Sequence, residues 1–132
     1  MRWLALLIPA MLAGCAAGAD APPGTTNPKQ LAEIADALKG LTPGEPVTCI
    51  DQTRVRDVKK FEGTILYQYS SREIYRNDVN GGCQGLRYGD IIVSRTTTNQ
   101  LCRGDIIHTV SPGAPGFPSG SCSLGSFVPY TR

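Results

Sequence analysis

The chain has 132 residues, with 13 basic and 11 acidic side chains and a formal net charge of +2. A balance so near neutral gives no electrostatic reason to expect nucleic acid or another polyanion as partner. The length sets one compact domain as the ceiling.

Met1-Arg2 is a short basic start, and Trp3 to Ala13 is an apolar run interrupted only by Pro9. Such a run falls well short of the about 20 residues that a membrane-spanning helix needs, and it suits the apolar region of a secretory signal. Leu12-Ala13-Gly14-Cys15 then resembles the lipobox of bacterial lipoproteins. In those proteins the cysteine thiol is alkylated with diacylglycerol, the chain is cut before the cysteine, and the new amine is acylated. Residues 1–14 are therefore expected to be a signal peptide and Cys15 the lipidation site, with several acyl chains giving stable attachment to a membrane. Ala16 follows the cysteine, and by resemblance to enterobacterial sorting it points to the outer membrane rather than the inner one. Residues 15–26 continue as a small, Pro-containing segment without apolar periodicity, and read as a lipidated flexible tether.

A short amphipathic helix and a turn are predicted over residues 27–44. Asn27 suits the cap, Pro28 the first helical position, and Gln30 the third place of a capping box. Leu31, Ile34, Ala35 and Leu38 recur at helical spacing, and Gly40 ends the segment. The apolar stripe is expected to pack on the chain's own domain.

From residue 45 to 132 the pattern is β. Val47–Ile50 is a short apolar segment, and Arg54–Glu62 reads either as a bent strand or as one helical turn. Thr64–Tyr69 and Glu73–Asn77 form a hairpin joined near Ser70-Ser71. Asp90–Ser94 and Asp105–Val110 are strands that start through the same Gly-Asp-Ile-Ile motif, as neighbours would. Asn77–Gly82 has the flavour of a calcium loop but lacks the acidic twelfth residue, so it reads as a turn. Cys122–Val128 is the last expected strand. Together these predict a mainly β domain, a small antiparallel barrel or rolled sheet with one short N-terminal helix.

With Cys15 assigned to lipid, Cys49, Cys83, Cys102 and Cys122 remain. An even number in an exported chain reads as two disulfides. The absence of any C-x-x-C pair argues against zinc, so no metal or cofactor is expected. Spacing leaves all three pairings open.

Few residues offer chemistry. His108 is the only histidine, in phase with Ile106 and Val110 and expected to be half-buried beside the core. Asp90 and Asp105 become a carboxylate pair only if their strands bring them together. Arg54, Arg56, Lys59 and Lys60 are interleaved with Asp51, Asp57 and Glu62, which describes a solvated face more simply than a headgroup-binding patch.

Cys49-Ile50, Thr64-Ile-Leu-Tyr67, Ile74-Tyr-Arg-Asn77, Cys83-Gln-Gly-Leu86, Leu101-Cys102 with Gly104-Asp-Ile-Ile107, and Cys122-Ser-Leu-Gly125-Ser-Phe127-Val-Pro129 together resemble an uncharacterised family of small proteobacterial envelope proteins. The resemblance covers residues 46–130. It implies export and paired cysteines, and brings no activity, cofactor or catalytic residue. The reading is a periplasmic lipoprotein, anchored to the outer membrane through Cys15, with a non-catalytic binding or structural role. Its expected partner is an envelope protein or glycan. A small exported inhibitor of a hydrolase is the alternative. An envelope hydrolase using Asp90, Asp105 and His108 comes third, and requires those three side chains in one cleft.

Overall fold

The computed structural model describes residues 24–114 and 116–132. The expected signal peptide, Cys15 and residues 15–23 of the expected tether lie outside them.

In chain order the elements are α1 (Pro28–Ala37), β1 (Thr42–Pro43), β2 (Cys49–Asp51), β3 (Asp57–Phe61), β4 (Thr64–Ser70), β5 (Glu73–Asp78), β6 (Asn80–Gly81), β7 (Ile91–Ser94), β8 (Gln100–Cys102), β9 (Ile106–Val110), β10 (Pro118–Ser123) and β11 (Phe127–Thr131). Two 3-10 turns, Gln52–Arg54 and Gln84–Tyr88, join them. The strands pair antiparallel in a five-stranded sheet ordered β1-β11-β5-β4-β3, a four-stranded sheet ordered β6-β10-β9-β7, and the pair β2-β8. This is the expected mainly β class in its rolled-sheet form. The sheets keep open edges and do not close into a barrel.

Strand alternation explains the layering. Along β4, Ile65, Tyr67 and Tyr69 point to one face and Leu66 to the other, and all four are buried. The first set joins Phe127 of β11, Ile107 of β9, Cys122 of β10, Leu86 and Leu101 in the main core between the sheets. Leu66 meets Ile34 of α1 and Leu38 just past its end, with Phe61 and Ile74, in a second core. The five-stranded sheet is thus covered by the helix on one side and by the smaller sheet on the other. Fully burying Ile34 contributes about 1.5–3 kcal/mol to holding the helix down.

Asn27 caps the helix as expected, its side-chain oxygen accepting from the Lys29 N–H at 3.0 Å. Gln30 does not complete a capping box. Its side-chain oxygen accepts from the Glu62 N–H instead, tying the helix to the β3–β4 turn. The buried stripe is also narrower than predicted, since Leu31 and Ala35 are exposed. The expected tether ends early. Thr25 is buried, and its N–H donates to the Thr64 hydroxyl at 3.3 Å, which itself donates to Asp78 at 2.7 Å.

One other expectation is narrowed and two need correction. Arg54–Glu62 takes the strand alternative, as β3, and the 3-10 turn Gln52–Arg54 ends at its first residue. Cys122–Val128 is not one strand: the chain leaves β10 in one sheet and enters β11 in the other, turning at Leu124-Gly125-Ser126. Asn77 holds that corner, its amide donating to the Gly125 carbonyl at 2.8 Å and accepting from the Gly125 N–H at 2.9 Å. Asn77–Gly82 is no plain turn either. It carries the end of β5 and all of β6, and so crosses between sheets.

The disulfides are Cys49–Cys102 and Cys83–Cys122. The first joins directly opposed residues of β2 and β8, with Cα atoms 4.0 Å apart. The second ties the start of the Gln84–Tyr88 turn to β10. Two such bonds place the folded domain in an oxidising, non-cytoplasmic compartment. Among the described residues no helix is long and apolar enough to cross a membrane.

Candidate functional site

The three side chains that a hydrolase would need do not converge. β7 and β9 are neighbours, as the repeated motif suggested, but they run antiparallel, with Ile91 opposite Val110 and Ser94 opposite Ile107. Their starting aspartates therefore lie at opposite ends of the pair, roughly 20 Å apart at about 3.3 Å per residue. Asp105 closes its own turn by accepting from the Cys102 N–H at 2.8 Å. Asp90 is buried and accepts from the Ser119 hydroxyl, which also bonds Thr109 at 3.0 Å. His108 is half-buried and in phase with Ile106 and Val110 as expected, but that phase faces away from the core. Ile107 and Thr109 point inward instead, both fully buried.

The basic cluster is likewise divided. Arg54 lies over the Tyr69 ring, 4.6 Å from its centroid, and 3.7 Å from Glu73. Lys59 and Lys60 leave β3 on opposite faces. Lys60 donates to the carbonyl oxygens of Gly89 and Asp90 at 3.0 and 2.9 Å, fastening the end of β3 to the start of β7. No single cationic patch results.

What the fold does build is a cleft of about 240 Å³ between these two sheets, where β3 and β7 are the facing edges. Val55 and Val58 form one wall and Ile92 the other, with Leu101 behind them and the exposed Ile91 at the rim. Gln52, Lys60 and Ser94 supply the polar margin. Tyr67 also lines the cleft, at 4 % exposure. Its ring packs against Phe127 with centroids 5.8 Å apart, yet its hydroxyl has no hydrogen-bond partner among the described residues.

That hydroxyl differs from its neighbours. Tyr69 both accepts from the Asp51 N–H at 2.7 Å and donates to the Asp51 carbonyl at 3.0 Å. Tyr75 donates to Glu73 at 2.8 Å. A buried hydroxyl with no partner costs about 1–3 kcal/mol, so Tyr67 is the one aromatic group here whose polar end the fold leaves unused. Burial pushes its ionisation well above the ordinary phenol range, so at neutral pH it is an uncharged donor and acceptor. The cleft therefore suits a mostly apolar group, with hydrogen bonding offered at the margin by Gln52, Lys60 and Ser94, the usual composition of a binding site.

No family model, curated protein or solved structure matches this chain. Function must accordingly be argued from the site itself. Sequence reading passed over Tyr67, although the alternation of Ile65, Tyr67 and Tyr69 already placed it on the face shared with the core. The cleft itself had no sequence signal, because β3 and β7 belong to different sheets and lie about thirty residues apart.

Proposed function

We propose that this chain is a periplasmic lipoprotein, anchored to the outer membrane through Cys15, whose disulfide-stapled domain has a non-catalytic binding role. The observation that carries the binding role is the cleft, apolar in its walls, with the Tyr67 side chain in its lining and Gln52, Lys60 and Ser94 at its polar margin. Of its polar lining groups, the Lys60 ammonium is held by the Gly89 and Asp90 carbonyls, and no carboxylate or imidazole lines the cleft to serve Ser94 as base. The oxidising compartment implied by the disulfides and the lipobox-like Leu12–Cys15 support the export half of the reading. The resemblance over residues 46–130 to small proteobacterial envelope proteins belongs to the same proposal.

Two measurements test it together. Palmitate should label the wild-type chain and not Cys15→Ser, and equal labelling would remove the anchor. A photo-cross-linking residue at Ser94, on the rim of the cleft, should give an envelope adduct that the same residue at Glu33, on the solvent face of α1, does not. Absence of any Ser94-specific adduct would remove the binding role.

A further inference from the structure

The larger sheets end in four edge strands, and three are guarded against pairing with another chain. β1 has two residues, one of them Pro43; β6 has two residues; β3 carries Asp57, Lys59 and Lys60. Short length, proline and charge are the usual means of blunting an edge. β7 has none of them. Its four residues are Ile-Ile-Val-Ser, and its outer edge has no strand partner among the described residues.

Both faces beside that edge are also unfinished. On the inner side Ile92 and Ser94 line the cleft together with Tyr67. On the outer side Ile91 and Val93 are 49 % and 37 % exposed, and Ile106 on β9 is 53 % exposed. Val93 is opposite His108 there, and Ile91 opposite Val110. A lone exposed apolar residue needs no explanation, but three on one sheet face beside an open edge mark an interaction surface. A rounded small molecule would fill the cleft and leave the outer face bare. An extended chain accounts for both, since alternate side chains of a strand point to opposite faces.

We infer that β7 is a strand-addition site, binding an extended peptide segment of another protein. The segment's backbone pairs with the free edge of Ile91–Ser94. One of its side chains enters the cleft, apolar along its shaft and carrying a hydrogen-bonding atom to the margin of Gln52, Lys60 and Ser94. The side chains on either side of that one are apolar and cover Ile91, Val93 and Ile106. Backbone pairing supplies affinity in this mode, and the cleft supplies selectivity. Lys60, by holding the Gly89 and Asp90 carbonyls, sets where pairing can begin. The inference rests on the binding role proposed above and names its ligand class.

The probe is an octapeptide of alternating valine and threonine, added to the isotope-labelled full chain carrying Cys15→Ser. Amide exchange should slow at β7 positions facing the free edge, and resonances of Tyr67 and Val93 should shift. Two N-methylated peptides, one modified at every valine and one at every threonine, each lose the donors of one edge only. One should bind at least tenfold more weakly than the parent, and the other comparably to it. Val93→Lys, which puts a charge on an already exposed position, should weaken the parent peptide at least tenfold at unchanged melting temperature. Equal behaviour of the two methylated peptides, or unchanged β7 exchange at millimolar peptide, would overturn the inference. So would protection of β7 in the peptide-free protein on dimerisation, which would make the occupant a second copy. An envelope adduct at Ser94 with β7 unprotected refutes the peptide alone, whereas loss of the adduct refutes the binding role beneath it.

Discussion

Replacing both cysteines of the Cys49–Cys102 bond with alanine isolates the contribution of one crosslink. These two residues are only half-buried, so little cavity cost accompanies the change, in contrast to the buried Cys83–Cys122 pair. The bond spans 53 residues, and closing a loop of that length restricts the unfolded chain by about 4 kcal/mol. The other bond spans 39 residues and overlaps it, which raises the question of redundancy. Cys102 lies near the middle of the loop closed by Cys83–Cys122, so with that bond intact the effective loop shortens only to about 44 residues. That lowers the contribution by roughly 0.2 kcal/mol. The two crosslinks are therefore nearly additive, and each is a large part of a typical domain stability of about 5–15 kcal/mol. At about 4–8 °C per kcal/mol for a domain near this size, the double variant should melt roughly 15–30 °C lower. Its urea m-value should rise, because the unfolded chain expands. Thermal and urea unfolding followed by circular dichroism measure both quantities. A melting temperature within about 5 °C of wild type, with the second bond confirmed by mass spectrometry, would refute the chain-entropy argument.

Asn77→Ala should destabilise the domain by about 2–4 kcal/mol, because it leaves the Gly125 N–H and carbonyl without their partners; urea denaturation measures it, and a loss below about 1 kcal/mol would mean the corner is held by other contacts. Tyr67→Phe should be neutral or stabilising by up to about 1–3 kcal/mol in the same assay, since it removes a buried hydroxyl that bonds nothing; clear destabilisation would show a partner to the hydroxyl in the native state. Alkaline stability follows from the same side of the sheet. Tyr67 and Tyr75 ionise later when folded than free tyrosine does, both chiefly through burial, and Tyr75, helped by Glu73, is pushed up to about 12. Because the folded state holds the phenol protons more tightly, this stability is complete below about pH 10. It is lost as pH rises from there through about 12, which phenolate absorbance and circular dichroism recorded together will show. Gly85→Ala should loosen the Gln84–Tyr88 turn, because a methyl group there meets the Asp90 carboxylate and the Ser119 hydroxyl; an unchanged melting temperature would mean that contact gives way freely.

Local patterns were legible in the sequence where one residue type answers one geometric demand. Asn27 and Pro28 announce the helix start, and the apolar and aromatic run of Thr64–Tyr69 announces a strand. The four cysteines from Cys49 onward announced two bonds, but their pairing is a property of the sheets and not of the spacing. The strand Gln100–Cys102 went unseen because three residues carry no periodicity. Cys122–Val128 was read as continuous because the break at Gly125 depends on a hydrogen bond from Asn77, far away in sequence. His108 was placed in the right phase and on the wrong side. Alternation identifies which residues share a face, but only the partner sheet decides which face is inside. The cleft fell outside reach for the same reason: it exists only because two strand edges from different sheets stop short of each other.

The disulfides are interlaced, first cysteine with third and second with fourth among the four. A chain delivered amino terminus first into an oxidising compartment presents Cys49 and Cys83 together before Cys102 has arrived. Oxidation in order of appearance therefore joins two cysteines that belong to different native bonds. That bond must later be undone by thiolate exchange, a process of seconds to hours unless catalysed. Cells lacking a disulfide isomerase should therefore accumulate the protein with Cys49 bound to Cys83, which mass mapping of the non-reduced protein will show.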